Sequence, residues 1–387
     1  MTDPLKHIEE GFAKAFAVKA ERFFMAPGRV NLIGEHTDYN GGYVFPCALD
    51  FGTYAAVRKR DDRKIRLASG NTNLRCEVSL EGLVYDTAHD WGNYPKGVVA
   101  EILKLGHKIG GFDLYVWGNI PNGAGLSSSA SLEVLTATVI DSIFGCGIPK
   151  KEIALLSQRA ENHFVGVNCG IMDQYSITFG KEDQAMLLDC QNLNHEYVPL
   201  KLGEHVIIIA NTNKQRGLAD SKYNERRSEC EAALALLRAE CDIVSLCELS
   251  PEKFEQHKHL ILDPVMAKRA THAVYENART LEAVKVLNQG DLMNFGKMMD
   301  ASHKSLRDLY EVTGPELDAL VDAAWDTEGV IGSRMTGAGF GGCTVSIVRK
   351  DGVENFYKEV EKGYKERTGL APSFYMAGIG GGAGEII

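Results

Sequence analysis

Residues 112–145, FDLYVWGNIPNGAGLSSSASLEVLTATVIDSIFG, contain the pattern that decides the fold. The opening run is mostly apolar and aromatic, which predicts a strand, and the proline and glycines after it predict a turn. Leucine, valine and isoleucine then recur at helical spacing, at positions 132, 135, 139 and 143, and Gly145 ends the run. The segment therefore predicts a strand, a glycine-rich loop and a helix, in that order.

The loop of this unit, residues 123–130, can bring backbone close to a ligand. Its glycines permit a close approach, and the free N–H groups at a helix start attract an anion. A P-loop would end in Gly-Lys-Ser/Thr, but no Lys or Arg occurs from Ile109 to Pro149. A phosphate site and a serine-capped turn both remain open here. A phosphate would need its positive charge from elsewhere in the chain.

Strands and helices are interleaved along the rest of the chain without a regular βαβ period, which predicts the α+β class. The predicted strands are 206–210, 343–348 and 373–376, and the predicted helices are 150–164, 219–240, 264–288, 291–308 and 315–327. A chain of 387 residues exceeds the usual size of one domain. We therefore expect two domains, 1–190 and 191–387, with a cleft between them.

The composition is that of a globular protein, with 44% hydrophobic and 24% charged residues. A net charge of −10 without long basic runs predicts a small-molecule partner, with no nucleic acid and no membrane surface. The nine cysteines are scattered and form no C-x-x-C pair, which is typical of reduced thiols in a cytosolic protein. The first ten residues lack an apolar signal-peptide core, and no apolar run reaches membrane-spanning length. We expect a soluble cytoplasmic protein.

A second glycine-rich segment, residues 27–42, is dense in charge. Arg29, Glu35, His36 and Asp38 bring a guanidinium, two carboxylates and an imidazole within ten residues. Such groups suit a polyol, because carboxylates accept hydroxyl protons and a histidine donates or accepts. The alternative, a metal site, is weaker because Glu-His-x-Asp is not a zinc spacing.

Two further segments are candidates for the same site. Residues 334–342 hold four glycines in six positions, which predicts close backbone approach, and the strand after them argues against a dinucleotide loop. Asp173 follows two apolar residues, where a partly desolvated carboxylate could act as a base. The alternative for Asp173 is the cap of a helix.

Together these segments resemble the galactokinases of the GHMP kinase family, which also contains homoserine, mevalonate and phosphomevalonate kinases. Residues 28–39 match the sugar motif of galactokinases, 123–130 resemble the ATP loop of the family, and 335–342 resemble its third motif. The resemblance runs from about Phe24 to the last strand. It implies an N-terminal domain like domain 2 of ribosomal protein S5, a ferredoxin-like C-terminal domain, and an active site between them.

The resemblance also implies a reaction and residue roles. Galactose would be phosphorylated at its C1 hydroxyl by ATP, the entry step of galactose catabolism. Asp173 would take the proton of that hydroxyl, and Arg29 would keep Asp173 ionised and stabilise the transferred phosphoryl group. The implied sugar site is Glu35, His36, Thr37, Asp38, Gly170, Asp173 and Tyr223. The implied ATP site is Ser69, Gly123, Ala124, Gly125, Leu126, Ser127, Ser128 and Ser129, with Mg²⁺ on Ser129 and Glu161. We also expect the protein to be a monomer.

Two other functions remain open from the sequence. N-acetylgalactosamine kinases share much of the sugar motif, whereas mevalonate and homoserine kinases lack its Gly-Glu-His-Thr-Asp-Tyr run. A non-catalytic sensor that binds galactose and ATP and contacts a repressor would lack a Ser-Ala pair in the ATP loop. The loop here keeps Ser-Ser-Ser-Ala-Ser at 127–131, which favours an enzyme.

Overall fold

The structure is a computed structural model that describes residues 3–121, 124–214 and 219–386. Its α-helices are α1 (Pro4–Phe16), α2 (Asn93–Lys104), α3 (Ser128–Phe144), α4 (Lys150–Arg159), α5 (Met172–Phe179), α6 (Ala219–Leu237), α7 (Pro251–His257), α8 (Pro264–Asn288), α9 (Leu292–Ser305), α10 (Gly314–Trp325) and α11 (Val353–Thr368). Its strands are β1 (Arg22–Asn31), β2 (Tyr43–Val44), β3 (Pro46–Arg60), β4 (Lys64–Ser69), β5 (Arg75–Ser79), β6 (Gly111–Gly118), β7 (Gln184–Asp189), β8 (Asn194–Pro199), β9 (His205–Asn211), β10 (Val330–Thr336), β11 (Cys343–Arg349), β12 (Ser373–Ala377) and β13 (Gly384–Glu385).

The first half is built on a six-stranded sheet in the order β13-β1-β3-β6-β4-β5. Neighbouring strands are antiparallel except β4 and β6, which are parallel. Helices α2 and α3 share one apolar core with this sheet, in which Val134 of α3 lies with Leu114 of β6. Helix α1 covers other apolar residues of the sheet through Ile8 and Phe12. The predicted strand–loop–helix unit thus lies across the middle of this half.

The second half is built on an antiparallel sheet in the order β10-β11-β9-β12. Strand β9 is apolar throughout its centre because both of its faces are covered. Ile208 packs with α10 and α11, whereas Ile207 and Ile209 pack in a core that also contains Phe295 of α9 and Val30 of β1. This shared core joins the two halves directly.

The predicted division at residue 190 lies inside a hairpin. Strands β7 and β8 pair on either side of it, in a three-stranded sheet with β2. The division at this residue stays a prediction.

The glycine-rich tail after β12, for which the sequence suggests no role, returns to the first half. Gly380 N–H donates to the Ala48 carbonyl, and Ala383 N–H donates to the Ile177 carbonyl of α5, both at 3.0 Å. Strand β13 then pairs with β1. The C-terminus therefore fastens α5 against the first sheet.

The α+β prediction is confirmed, and so are the strand at 112–117, the helix that Gly145 ends, and helix α8 with its bounds. The predicted helix 150–164 is wrong beyond Arg159, because a π-helical turn occupies Ala160–Val165. Helix α9 likewise ends at Ser305, before a second π-helical turn. Helix α11 was not predicted, although its apolar residues recur at helical spacing. In the part of the chain that the structure describes, no helix has the length and apolarity to cross a membrane.

Candidate active site

A cavity of about 200 Å³ lies where the three glycine-rich loops and the start of α5 meet. Its walls come from both halves of the chain. The lining residues are Arg29, Glu35, His36, Asp38, Gly125, Ser127, Ser128, Ser129, Glu161, Val167, Cys169, Gly170, Met172, Asp173, Tyr223, Gly337 and Ala338.

Arg29 and Asp173 form a two-pronged ion pair on one wall of the cavity. Arg29 Nε lies 2.8 Å from Asp173 Oδ1, and Nη2 lies 2.9 Å from Oδ2. The arginine side chain is 4% exposed, whereas the aspartate is 27% exposed and reaches the cavity. Two parallel charge-assisted hydrogen bonds fix the plane of the carboxylate as well as its charge. The pair therefore presents an oriented carboxylate to whatever occupies the cavity.

Asp173 lies in the first turn of α5, where the helix dipole favours a negative charge. The N-cap of α5 is Ile171, so Asp173 is not the helix cap that the sequence left open. Its carboxylate also accepts a hydrogen bond from the Ser127 hydroxyl. Ser127 has a left-handed backbone, with φ 63°, which directs its side chain toward α5. Asp173 is thus bonded both to β1 and to the loop before α3.

The loop before α3 and the strand of Arg29 are packed against each other. Arg29 N–H donates to the Leu126 carbonyl at 3.2 Å, and Arg29 Nη1 donates to the Gly125 carbonyl at 2.7 Å. The first N–H groups of α3, from Ser128 onward, have no partner within the helix. The guanidinium thus lies against the loop before α3 and supplies the full positive charge that the loop itself lacks.

Glu35 connects the charged loop to the third glycine-rich segment. Its Oε1 accepts hydrogen bonds from Gly337 N–H at 2.7 Å, Thr336 Oγ1 at 3.2 Å and Arg334 Nη1 at 3.4 Å. Arg334 is fully buried. A Cβ at Gly337 would meet the Gly125 carbonyl oxygen at 2.8 Å, so all three loops touch here. The expectation of close backbone approach at residues 334–342 is confirmed, and the partner is backbone.

His36 is a neutral ring at the end of a hydrogen-bond chain. Its Nδ1 lies 2.7 Å from Tyr39 Oη, which lies 2.7 Å from Tyr310 Oη. Burial, with His272 nearby, lowers the pKa of His36 to about 3. A neutral imidazole can donate or accept one hydrogen bond at the cavity.

Asp38 and Gly170 approach so closely that only a glycine fits. A Cβ at Gly170 would lie 1.8 Å from Asp38 Oδ2. Burial, followed by the negative charge of Asp173, raises the pKa of Asp38 to about 6. Tyr223 lies beside the His36 ring, and burial raises its pKa well above 10, so it remains a hydroxyl donor.

Glu161 lies in the π-helical turn after α4, a local geometry that is frequent at functional sites. Burial and the Asp173 charge raise its pKa to about 7. The described residues include no group of three or more His, Cys, Asp or Glu that could bind a metal. One carboxylate and one hydroxyl, from Glu161 and Ser129, nevertheless fit Mg²⁺, which usually binds few protein oxygens together with phosphates and water. A buried oxygen of Glu133 next to this carboxylate has no hydrogen-bond partner.

A second cavity, of about 210 Å³, adjoins the first at Ser128 and Ser129. It contains Ser69, together with Trp91 and Tyr94, which the sequence analysis missed. No sequence signal pointed to them, because both lie well before the phosphate loop in the chain and meet it only in the fold.

Most of the residues expected from the sequence line these cavities. Thr37 does not, because its hydroxyl donates to the Gly34 and Tyr43 carbonyls and so stabilises the loop. Ala124 and Leu126 belong to the apolar core behind the loop. Gly123 lies outside the described residues. The roles of the expected residues stay predictions, although the structure brings most of them to one place.

Models of three families match the chain. The galactokinase galactose-binding signature matches residues 10–59, the N-terminal domain of GHMP kinases matches 93–181, and the C-terminal part of GHMP kinases matches 283–366. The crystal structure of Methanococcus jannaschii mevalonate kinase shares the fold, with a TM-score of 0.64 at 21% identity over 93% of this chain and 99% of that chain. The fold and the three loops therefore define a GHMP kinase.

More similar relatives narrow the family. Galactokinase from Fusobacterium nucleatum is 57% identical over 99% of this chain and 100% of its own length, and galactokinase from Clostridium beijerinckii is 55% identical over 98% of both. Lactococcus lactis galactokinase complexed with galactose superposes with a TM-score of 0.96 at 46% identity, covering 99% of this chain and 100% of that one. The chain belongs to the galactokinase family, and it is an ATP-using kinase.

Proposed function

We propose that this kinase transfers the γ-phosphoryl group of ATP to the C1 hydroxyl of α-D-galactose, giving galactose 1-phosphate and ADP. The observation that carries the proposal is the oriented Asp173 carboxylate, paired with Arg29, where the sugar motif meets residues 124–130, the serine loop. Family membership supports galactose as the acceptor.

In this proposal Asp173 accepts a hydrogen bond from the C1 hydroxyl, aligns its oxygen for attack and then takes its proton. Phosphoryl transfer depends mainly on positioning and on stabilising charge at the equatorial oxygens. In this proposal the chain itself supplies one cation at the equatorial oxygens, the guanidinium of Arg29. Ser129 and Glu161 would hold Mg²⁺, which neutralises charge on the ATP phosphates. Because the hydroxyl proton leaves late in a loose transition state, charge stabilisation contributes more than proton transfer.

The nucleotide is proposed to lie across both cavities. Trp91 and Tyr94 offer aromatic faces to the base, and Ser69 lies within reach of the nucleoside. The phosphates would then pass Ser128 and Ser129, which border both cavities. The proposal includes a monomer, which light scattering on a sizing column tests. The proposed location is the cytoplasm.

A coupled assay of ADP release tests the function. The acceptors compared are galactose, N-acetylgalactosamine, mevalonate and homoserine, each with Mg²⁺ and ATP. We expect galactose to give the highest kcat/KM. A higher kcat/KM with N-acetylgalactosamine would identify the protein as an N-acetylgalactosamine kinase. Galactose binding without phosphorylation of any acceptor would identify it as a non-catalytic sensor.

Gly170→Ala should raise the KM for galactose at least tenfold, because the new methyl group would displace the Asp38 carboxylate. Steady-state kinetics with ATP saturating measure it, and the KM for ATP should stay unchanged. Gly381→Ala is the matched control, since open space surrounds its added Cβ. Equal galactose KM values in both variants would remove Asp38 from the sugar site.

Galactose affinity should fall as the pH drops through 6. The pKa of Asp38 is raised to about 6, so its carboxylate, which accepts sugar hydroxyls, is mostly ionised at pH 7.5 and mostly protonated at pH 5. Because only ionised Asp38 accepts the sugar hydroxyls, the Kd for galactose should be about tenfold higher at pH 5 than at pH 7.5, as measured by calorimetry. Asp38→Asn should flatten this profile. In Asp173→Asn the midpoint should move below 6, because the Asp173 charge helps to raise the pKa. A parent protein with no change in Kd between pH 7.5 and 5 contradicts the role of Asp38.

A further inference from the structure

Gln174 joins three elements of the site through one side-chain amide. Its Nε2 donates to Glu161 Oε2 at 2.6 Å and to Glu133 Oε2 at 3.1 Å. Glu133 lies on α3, which begins at the serine loop, and Glu161 lies in the π-helical turn after α4. Gln174 itself follows Asp173 on α5. The Gln174 amide therefore connects α3 at the serine loop, the turn that carries Glu161, and α5, which carries Asp173.

This cluster is costly to bury. Gln174 and Glu133 are fully buried, and Glu161 is nearly so. A buried polar group destabilises the fold unless each of its atoms is paired, yet Gln174 Oε1 and Glu133 Oε1 have no hydrogen-bond partner. An apolar side chain at position 174 would leave the buried oxygens Glu133 Oε2 and Glu161 Oε2 without this donor.

In the structure the Gln174 amide directs its donor at the oxygens of Glu133 and Glu161. As placed, the donor fixes Glu161 Oε2, to which Cys169 Sγ also donates at 3.4 Å. Glu161 is thereby bonded to Gln174 and Cys169, in addition to its side-chain hydrogen bond with Ser129.

We propose that Gln174 is a positioning residue for phosphoryl transfer: it holds Glu161, as metal ligand, in register with the Asp173 carboxylate one residue away and with the serine loop. The inference rests on the proposed function, in which Glu161 binds Mg²⁺. Groups that hydrogen-bond a metal ligand typically change metal affinity 10–100-fold when removed. Removing the amide should therefore act on the metal and leave the sugar site intact.

Gln174→Met tests this, because methionine has a similar length and no donor. Calorimetry measures ATP binding without galactose over a series of Mg²⁺ concentrations. We expect metal-free ATP to bind the variant as tightly as it binds the parent. Mg²⁺ strengthens ATP binding, and the Mg²⁺ concentration that gives half of this effect should be about tenfold higher in the variant. In steady-state assays kcat should fall while the KM for galactose stays unchanged.

Thr178→Val is the matched control. Thr178 is buried on the same helix and its hydroxyl donates to the Gln174 backbone carbonyl at 2.7 Å, so the variant loses a buried hydrogen bond without touching Glu161. It should show the Mg²⁺ dependence of the parent. Gln174→Asn keeps the polarity but falls short of Glu161, and carries the test if the methionine variant does not fold.

A folded Gln174 variant with a lowered melting temperature and the parental Mg²⁺ dependence would overturn the proposal and leave the residue a structural role only. The parent protein separates this failure from that of the proposed function. If the parent releases no ADP with galactose, the proposed function fails. If the parent is active and its Gln174 variants respond to Mg²⁺ as it does, the positioning role alone fails.

Discussion

Asp173→Asn is expected to lower kcat with galactose about 10³-fold, within the range that a positioned base contributes. Asparagine keeps the shape of the side chain but cannot take the C1 proton, and its NH₂ group would face the donors of Arg29 and Ser127. The carboxylate would thus be lost both as a base and as the group that aligns the hydroxyl. Single-turnover kinetics at saturating galactose measure the chemical step directly.

Nucleotide binding provides the internal control for that variant. Asp173 lies on α5, away from the second cavity with Trp91 and Tyr94, so the Kd for ATP should remain within about twofold of the parent, well below the tenfold that 1.4 kcal/mol produces. A variant that turns over at nearly the parental rate would remove Asp173 from the mechanism. A weakened ATP complex would instead show that the substitution disturbs the serine loop.

Arg29→Met is expected to lower kcat by about 10²–10³, the loss typical of removing one group that stabilises transition-state charge. Methionine keeps an apolar stem but loses the bonds to Asp173 and to the Gly125 carbonyl. Arg29→Lys keeps the charge without the two-pronged geometry, and should be impaired to a lesser degree. The kcat with galactose and the melting temperature are measured for each of the two variants.

The double variant Asp173→Asn/Arg29→Met separates one joint function from two independent ones. If Arg29 acts largely by holding Asp173, the double variant should be about as slow as Asp173→Asn alone. Multiplied losses would mean that the arginine acts on the phosphoryl group independently. A folded Arg29→Met variant with parental kcat contradicts both roles.

Local pattern was sufficient for the local parts of the fold. The strand at 112–117, the helix that follows the serine loop and helix α8 each depend on spacing within one segment, so they could be predicted. Register breaks could not, because a π-helical turn interrupts the 3.6-residue period without a change in composition. The turn at Ala160–Val165 places Glu161, and was missed for that reason.

The site was predictable where motifs carry it and not where distant residues pair. Arg29 and Asp173 are 144 positions apart, and only the family resemblance suggested that they meet. Nothing in the sequence pairs Arg334 with Glu35, since the two side chains meet only in the buried contact between the halves. Glu133 did leave a trace, because an acid flanked by Leu132 and Val134 on a mostly buried helix needs a buried partner.

The pairing of β13 with β1 also constrains how the chain reaches its native state. Strand β1 is synthesised long before β13, so one of its edges stays unpaired until β13 has been made. An unpaired edge is a template for strands of other chains, so the window for aggregation lasts until β13 pairs. Chaperone demand should therefore depend on how quickly β13 finds that edge.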